Sequence, residues 1–217
     1  MNTQNSNDIN QVGHLDTFAK VRSRNPHTNI WFNHSPKNDR LQAITGDLPF
    51  YLTVLLEGDQ EVESYVPSEF DHQHSTESIR VAYRCGRTEV WSVRRKGSKG
   101  AAEVARALSV GEMDARTVKL KTDDDIRGRE IAIDNWLLLC SAITRARLVE
   151  KSLEIAALRD RITQCRSASL EELLSLGKCR AAMHAVIAAS LQRGLLHTNL
   201  ETFLFGGSSI LSWGPTQ

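Results

Sequence analysis

The sequence predicts an α+β protein in which a mixed α/β region is followed by a helical one, and three stretches carry that prediction. Between residues 78 and 94, Ile79, Val81 and Tyr83 alternate with Arg80 and Arg84, Cys85-Gly86-Arg87 supplies a turn, and Val90-Trp91-Ser92-Val93 comes next. A period of two on both sides of a turn marks an antiparallel hairpin with one buried face. From about Glu130 the spacing changes, and Ile131, Ile133, Trp136, Leu137, Cys140, Ile143 and Leu148 recur at threes and fours, as on an amphipathic helix. Ser169-Leu-Glu-Glu then forms a capping box: the Ser169 hydroxyl accepts from the Glu172 backbone N–H, and Glu172 reaches back.

The remaining elements fall around these anchors. Residues 1–25 are polar and Asn-rich and read as a flexible arm. Residues 26–46 contain Pro26, Pro36 and Gly46 and read as irregular. A helix is expected from Pro49 to Glu57, with Pro49 at its first position and Gly58 as its stop. Val62 and Tyr65-Val66 suggest a strand after the turn at Gly58-Asp59. Gly-Ser-Lys-Gly at 97–100 breaks the chain before an Ala-rich helix, Ala101 to Leu108, and residues 117–122 alternate as a strand returning to the sheet. Thr122 or Asp123 is placed to cap the helical region beyond it.

The helix opened by Ser169 ends at Gly177, and a second runs from about Lys178 to Arg193 before Gly194. Helix, Gly-containing turn, helix is the outline of a helix-turn-helix. Residues 195–213 read as two short strands around Gly206-Gly207, a wing. The chain therefore divides into the arm, an α/β domain at 26–125, and a helical, winged-helix-like domain at 126–217.

Composition bounds the function classes. The apolar fraction of 41% suffices for a packed core, and a net charge of +1 requires any basic surface to be local. Cys85, Cys140, Cys165 and Cys179 contain no CxxC pair, so they read as reduced, mostly buried thiols rather than a disulfide framework or zinc site. No basic start followed by an apolar core opens the sequence, and no apolar run approaches the roughly 18 residues of a membrane span. A cytoplasmic location without a membrane partner is expected. The four tryptophans are expected as core or interface anchors. His72-Gln-His74 beside Asp71 reads as a polar loop, and Asp123-Asp124-Asp125 as a helix start rather than a calcium loop.

Four stretches in this order and spacing carry a family resemblance: HSPKNDRLQ (34–42), FYLTVLLEGDQEVESYVPSEF (50–70), SIRVAYRCGRTEVWSVRRK (78–96) and residues 180–213. Together they resemble the TnsA-type endonuclease subunit of heteromeric transposases, which has a restriction-endonuclease-like fold. The resemblance spans about two-thirds of the chain. It implies a metal site built from a Glu on the first helix, an Asp opening the hairpin, and a polar or acidic residue plus Lys at the hairpin's end. Magnesium requires converging hard oxygen ligands, and it then activates water and stabilises the leaving oxygen. Carried onto this chain, those positions fall at Pro49, Ser78, Ser92 and Arg94, which is a degenerate site.

The expectation is thus a catalytically inactive TnsA-like protein, with no cofactor, that binds DNA, a TnsB-like transposase or a TnsC-like ATPase. One alternative is an active magnesium-dependent endonuclease with displaced ligands at Asp47, Glu77 and Glu89. Glu77 adjoins Ser78, so on a strand it would point to the opposite face. The other alternative is a winged-helix DNA-binding regulator whose readout lies within 165–217.

Charge patterning supplies the DNA-contact candidates. Residues 78–107 hold eight basic residues against two acids, whereas residues 53–78 hold seven acids and no Lys or Arg. Arg84, Arg87, Arg94, Arg95, Lys96 and Lys99 are candidate phosphate contacts, unless the two blocks simply neutralise one another. On the second helix of the C-terminal pair, Arg180 and Arg193 join them, with His184 and Gln192 as its only other groove-reading side chains. The helix is otherwise apolar, which suits packing or partner docking better than base readout.

Overall fold

A computed structural model describes residues 29–68 and 78–214. They form an α+β structure with a mixed sheet. The stretch between Pro26 and Gly46, irregular by its sequence, instead contains a regular hairpin of β1 (Ile30–Ser35) and β2 (Arg40–Thr45), paired antiparallel from Ile30↔Thr45 to Ser35↔Arg40. Its turn covers residues 36–39 and closes through Asp39 at φ 47°. The period of two is present in Trp31, Asn33 and Ser35, but two of these three inward positions are polar.

Gly46, at φ 97°, then redirects the chain into α1 (Asp47–Gly58). The helix begins two residues before Pro49. The proline occupies the third position, still within the first turn, where its missing N–H costs no helical bond. Nine of its residues are buried, from Leu48 to Glu57, because α1 is covered on both sides. Leu48, Leu52 and Leu56 meet Val62, Tyr65, Ile79, Val81, Trp91 and Val93 of the sheet. Phe50, Val54 and Leu55 join a second core with the C-terminal helices.

The sheet has the order β3-β4-β5-β6, with β3 (Val62–Pro67), β4 (Ser78–Tyr83) and β5 (Thr88–Val93) antiparallel in sequence. The chain then crosses through α2 (Lys99–Ser109) so that β6 (Val118–Lys121) lies parallel to β5. A parallel neighbour requires such a crossover. Ser98 caps α2 by accepting from the Ala101 N–H at 3.1 Å.

The helical part comprises α3 (Glu130–Arg145), α4 (Ser152–Gln164), α5 (Leu170–Leu176) and α6 (Arg180–Gln192), with β7 (Ser167–Ser169) paired to β8 (Ile210–Ser212). The Ser169 capping box forms as expected. The expected wing does so only in half. Residues after Gly206-Gly207 make β8, but those before them make no strand beyond one bridge, His197↔Ser212. Asn135 explains the difference. Its amide, 2% exposed, donates to the Leu200 and Phe203 carbonyls (2.9 and 2.7 Å) and accepts from the Phe205 N–H (2.7 Å). The segment is thereby held against α3 as an irregular loop.

The two cores are tied by one carboxylate. Glu57, 1% exposed at the end of α1, accepts at Oε1 from Ser35 Oγ and from the Tyr65 hydroxyl (2.6 Å). At Oε2 it accepts from the Lys37 N–H (3.0 Å) and from Gln192 Nε2 of α6 (2.8 Å). Lys37 Nζ caps the same helix end on the Leu56 and Asp59 carbonyls (2.8 and 2.5 Å). Burial pulls the Lys37 ammonium down to about 8, against the raising influence of Glu57 and Asp59.

This packing makes two predictions. Gly58 has the sequence position of a helix stop, but its backbone is not left-handed; a Cβ there would collide with the Trp136 ring. Alanine gains about 0.5–1 kcal/mol in helix propensity but overpacks by about 1–3 kcal/mol. Gly58→Ala should therefore lower the urea midpoint at unchanged m-value, and the loss it causes should be much smaller when measured in a Trp136→Leu background. Because the Lys37 pKa lies below its unfolded value of 10.5, the unfolded chain binds the extra proton between pH 8 and 10.5. Wild-type stability should therefore rise relative to Lys37→Met across that window. An unchanged difference between the two proteins would contradict the burial.

Candidate functional site

The region that the resemblance marks as a metal site lies at one end of the β4–β5 hairpin. Ser78 and Ser92 are direct partners across the ladder. With side chains alternating along each strand, they share the face opposite Ile79, Trp91 and Val93. Arg94 comes two residues later on the same side, and its N–H continues the pairing with β6 by donating to the Lys121 carbonyl at 2.9 Å. Its side chain lies over the start of α2, where a Cβ on Gly100 would be 3.2 Å from Arg94 Cδ and Nε. Pro49 is buried in the first turn of α1. The Ser78 and Ser92 hydroxyls share one face, Arg94 turns its guanidinium back to the Val93 carbonyl (3.0 Å), and α1, which carries Pro49, packs on the opposite face. None of these four positions offers a divalent cation a carboxylate.

Two of the carboxylates considered as displaced ligands, Asp47 and Glu89, have other partners. Asp47 Oδ1 accepts from Asn29 Nδ2 (2.8 Å) and Trp31 Nε1 (2.9 Å), which anchors the β1–β2 hairpin to the start of α1. Glu89 lies opposite Val81, three residues before Ser92 and on the other face of β5. There it accepts from the Tyr83 hydroxyl and from Trp91 Nε1, both at 2.9 Å, with Arg87 at 3.8 Å. Burial pushes the Glu89 carboxyl up, but the Trp91 and Tyr83 hydrogen bonds and Arg87 outweigh it and hold the group below the ordinary range. Glu77 and the Asp71-His72-Gln-His74 stretch lie outside the described residues. Among the described residues, no group of three or more His, Cys, Asp or Glu is placed to hold a metal ion.

The basic candidates do not form one stripe. Arg84 and Arg87 belong to the turn between β4 and β5, where Arg87 lies over the Tyr83 ring at 4.2 Å. Arg94, Arg95, Lys96 and Lys99 sit at the opposite end, roughly 20 Å away at about 3.3 Å per strand residue. In this second cluster Arg95 is exposed, Lys96 Nζ meets Asp124 at 2.7 Å, and Lys99 meets Glu103 at 3.9 Å. Lys121 of β6 lies over the Trp91 ring at 4.6 Å.

The helix considered for groove reading is enclosed. In α6, Ala182, Met183, Ala185, Val186, Ile187, Ala188 and Leu191 are buried, and Gln192 points inward to Glu57. His184 is partly buried beside Phe205, and burial, with Arg180 nearby, lowers its pKa. Arg180 is held by Glu171 through two bonds of 2.9 and 2.6 Å, while Arg193 is exposed just past the helix. These side chains do not share a free face, so this helix is a packing element.

Cys85 and Cys179 are exposed rather than buried, and all four cysteines are free. Trp91, Trp136 and Trp213 are core residues, and Trp31 stacks on Phe50 at 4.3 Å. No described helix is long and apolar enough to cross a membrane. No family model matches the chain, and no curated protein matches it.

The functional assignment of Glu89 as a structural acceptor has a spectroscopic consequence. Burial and the Glu89 carboxylate raise the Tyr83 hydroxyl to about 12. In a 295 nm titration, Glu89→Gln should bring one tyrosine down towards its ordinary range. An unchanged titration curve would separate the two side chains.

Proposed function

We propose that this protein is a non-catalytic, TnsA-like DNA-transaction protein that holds nucleic acid or a transposase partner without cutting. The observation that carries this reading is the Ser78–Ser92 pair with Arg94 beyond it, at the end of the hairpin where the resemblance calls for metal ligands. The succession of helix, strand and hairpin in α1, β3, β4 and β5 supports a restriction-endonuclease-like frame. The succession α4, β7, α5, α6, β8 supports a winged-helix-like unit whose second helix is used for packing.

The surface best suited to phosphate is the loop Arg94-Arg95-Lys96-Gly97-Ser98-Lys99. It places several cations beside the N-terminus of α2, where the helix dipole favours anions. Nuclease sites of this kind neutralise a phosphodiester with metal, whereas here arginine and lysine would supply the positive charge. That chemistry binds phosphate but generates no hydroxide nucleophile. Partners of the transposition machinery, a TnsB-like transposase or a TnsC-like ATPase, belong to the same reading. So does an intracellular role at an element end.

The test is duplex binding by fluorescence anisotropy across a salt series, with EDTA or magnesium, alongside nicking of supercoiled plasmid. The expected result is low-salt binding that is equal in EDTA and magnesium, with no nicking. Arg95→Ala with Lys99→Ala should weaken all duplexes alike and reduce the salt slope by about two, at roughly 0.9 per phosphate contact. Absence of low-salt binding together with no pull-down of a transposase partner, or nicking lost on Asp47→Ala or Glu77→Ala, would overturn the proposal.

A further inference from the structure

The basic loop is already engaged in the free protein. Facing it is a 3-10 turn, Asp123–Asp125, fixed by Thr122: the Thr122 hydroxyl accepts from the Asp124 N–H at 3.4 Å, and the Thr122 N–H donates to Asp125 at 2.8 Å. Asp125 is also tied to Lys121 at 2.8 Å. The cap and Asp125 therefore hold the turn, leaving the carboxylates of Asp123 and Asp124 for the loop. Asp123 accepts from the Lys96 N–H at 3.0 Å. Asp124 takes the Lys96 ammonium on Oδ2 at 2.7 Å and the Arg127 guanidinium on Oδ1 at 3.3 Å. Both of its oxygens are used, each on a different cation, which is how a phosphate group would be held.

Exposure shows that the fold does not depend on these contacts. Lys96 and Asp124 side chains are 61% and 44% exposed, and pairs of that kind stabilise little. The same weakness makes them easy to exchange for a stronger anion.

We infer that the Asp123–Asp125 turn is a built-in competitor: it occupies Lys96 of the 94–99 loop in the free protein and is displaced when a phosphate backbone docks. The inference rests on the polyanion reading above. It makes Lys96 a phosphate contact gated by Asp124, and it sets a threshold against weakly bound anions.

The test uses the full chain and a duplex of arbitrary sequence at low salt, comparing Asp124→Asn with Asp160→Asn. Asp160 is an exposed acid on α4, so its replacement makes the same change in net charge away from the loop. Asp124→Asn should tighten binding roughly two- to fivefold, the range expected on releasing an exposed ion pair. It should also steepen the salt slope by about one, as one more phosphate contact is made. Most of the gain should vanish when Lys96→Met is added. If Asp124→Asn and Asp160→Asn behave alike, the competitor is overturned while the binding reading stands. If no variant binds at low salt, both fall.

Discussion

The structure depends on a buried carboxylate at the end of its most enclosed helix. Glu57 has no access to water, so each lone pair must be met by a protein donor. Four elements provide one: β1 through Ser35, the adjoining turn through Lys37, β3 through Tyr65 and α6 through Gln192. The most distant of those donors lies 135 residues from Glu57 in the chain. Around them, α1 gives one side to the sheet and the other to the helical core. Satisfying a single charge therefore fixes the hairpin, the sheet and the C-terminal helices in one arrangement. The Cys140 thiol feels the same site: burial first, then Glu57, raises it well above its ordinary value.

Acids and bases elsewhere obey the same logic of occupied partners. Asp47 secures Trp31 and Asn29, Glu89 secures Tyr83 and Trp91, and Asp124 lies against Lys96 and Arg127. Asp47 and Glu89, two of the carboxylates that a sequence reading would recruit as displaced ligands, thus serve as hydrogen-bond acceptors in the fold. At the hairpin end that remains, Ser78, Ser92 and Arg94 are half-buried, while Arg95, Lys96 and Lys99 just beyond them are exposed. This end can attract an anion, and the proposed function is built on that capacity.

Much of the fold is legible in the sequence where local chemistry decides. The β4–β5 hairpin announces itself through alternation and Gly86, and Ser169 through its capping box, because both patterns are set within a few residues. The β1–β2 hairpin is hidden: its inward face carries Asn33, Ser35 and Gln42, so hydrophobic alternation is broken by the polar groups that serve the interior. The expected wing fails because its fate depends on Asn135, some 65 residues away. Gly58 looks like a stop signal, whereas its role is set by the Trp136 ring. For the candidate site, sequence supplies the positions Ser78, Ser92 and Arg94. The splitting of the basic residues to opposite ends of the hairpin, and the aspartates set against Lys96, require the folded chain.

The most direct test of the account is amide hydrogen exchange on Glu57→Ala, read together at β4 and at α6. Removing the carboxylate leaves the Ser35, Tyr65 and Gln192 donors buried without an acceptor, which costs about 3–5 kcal/mol. The account predicts that protection in the sheet and in α6 falls by that amount and by the same amount in both. Loss confined to one region, or a change below about 0.5 kcal/mol, which is ordinary for a surface substitution, would contradict the claim that this one charge binds the two cores into a single structure.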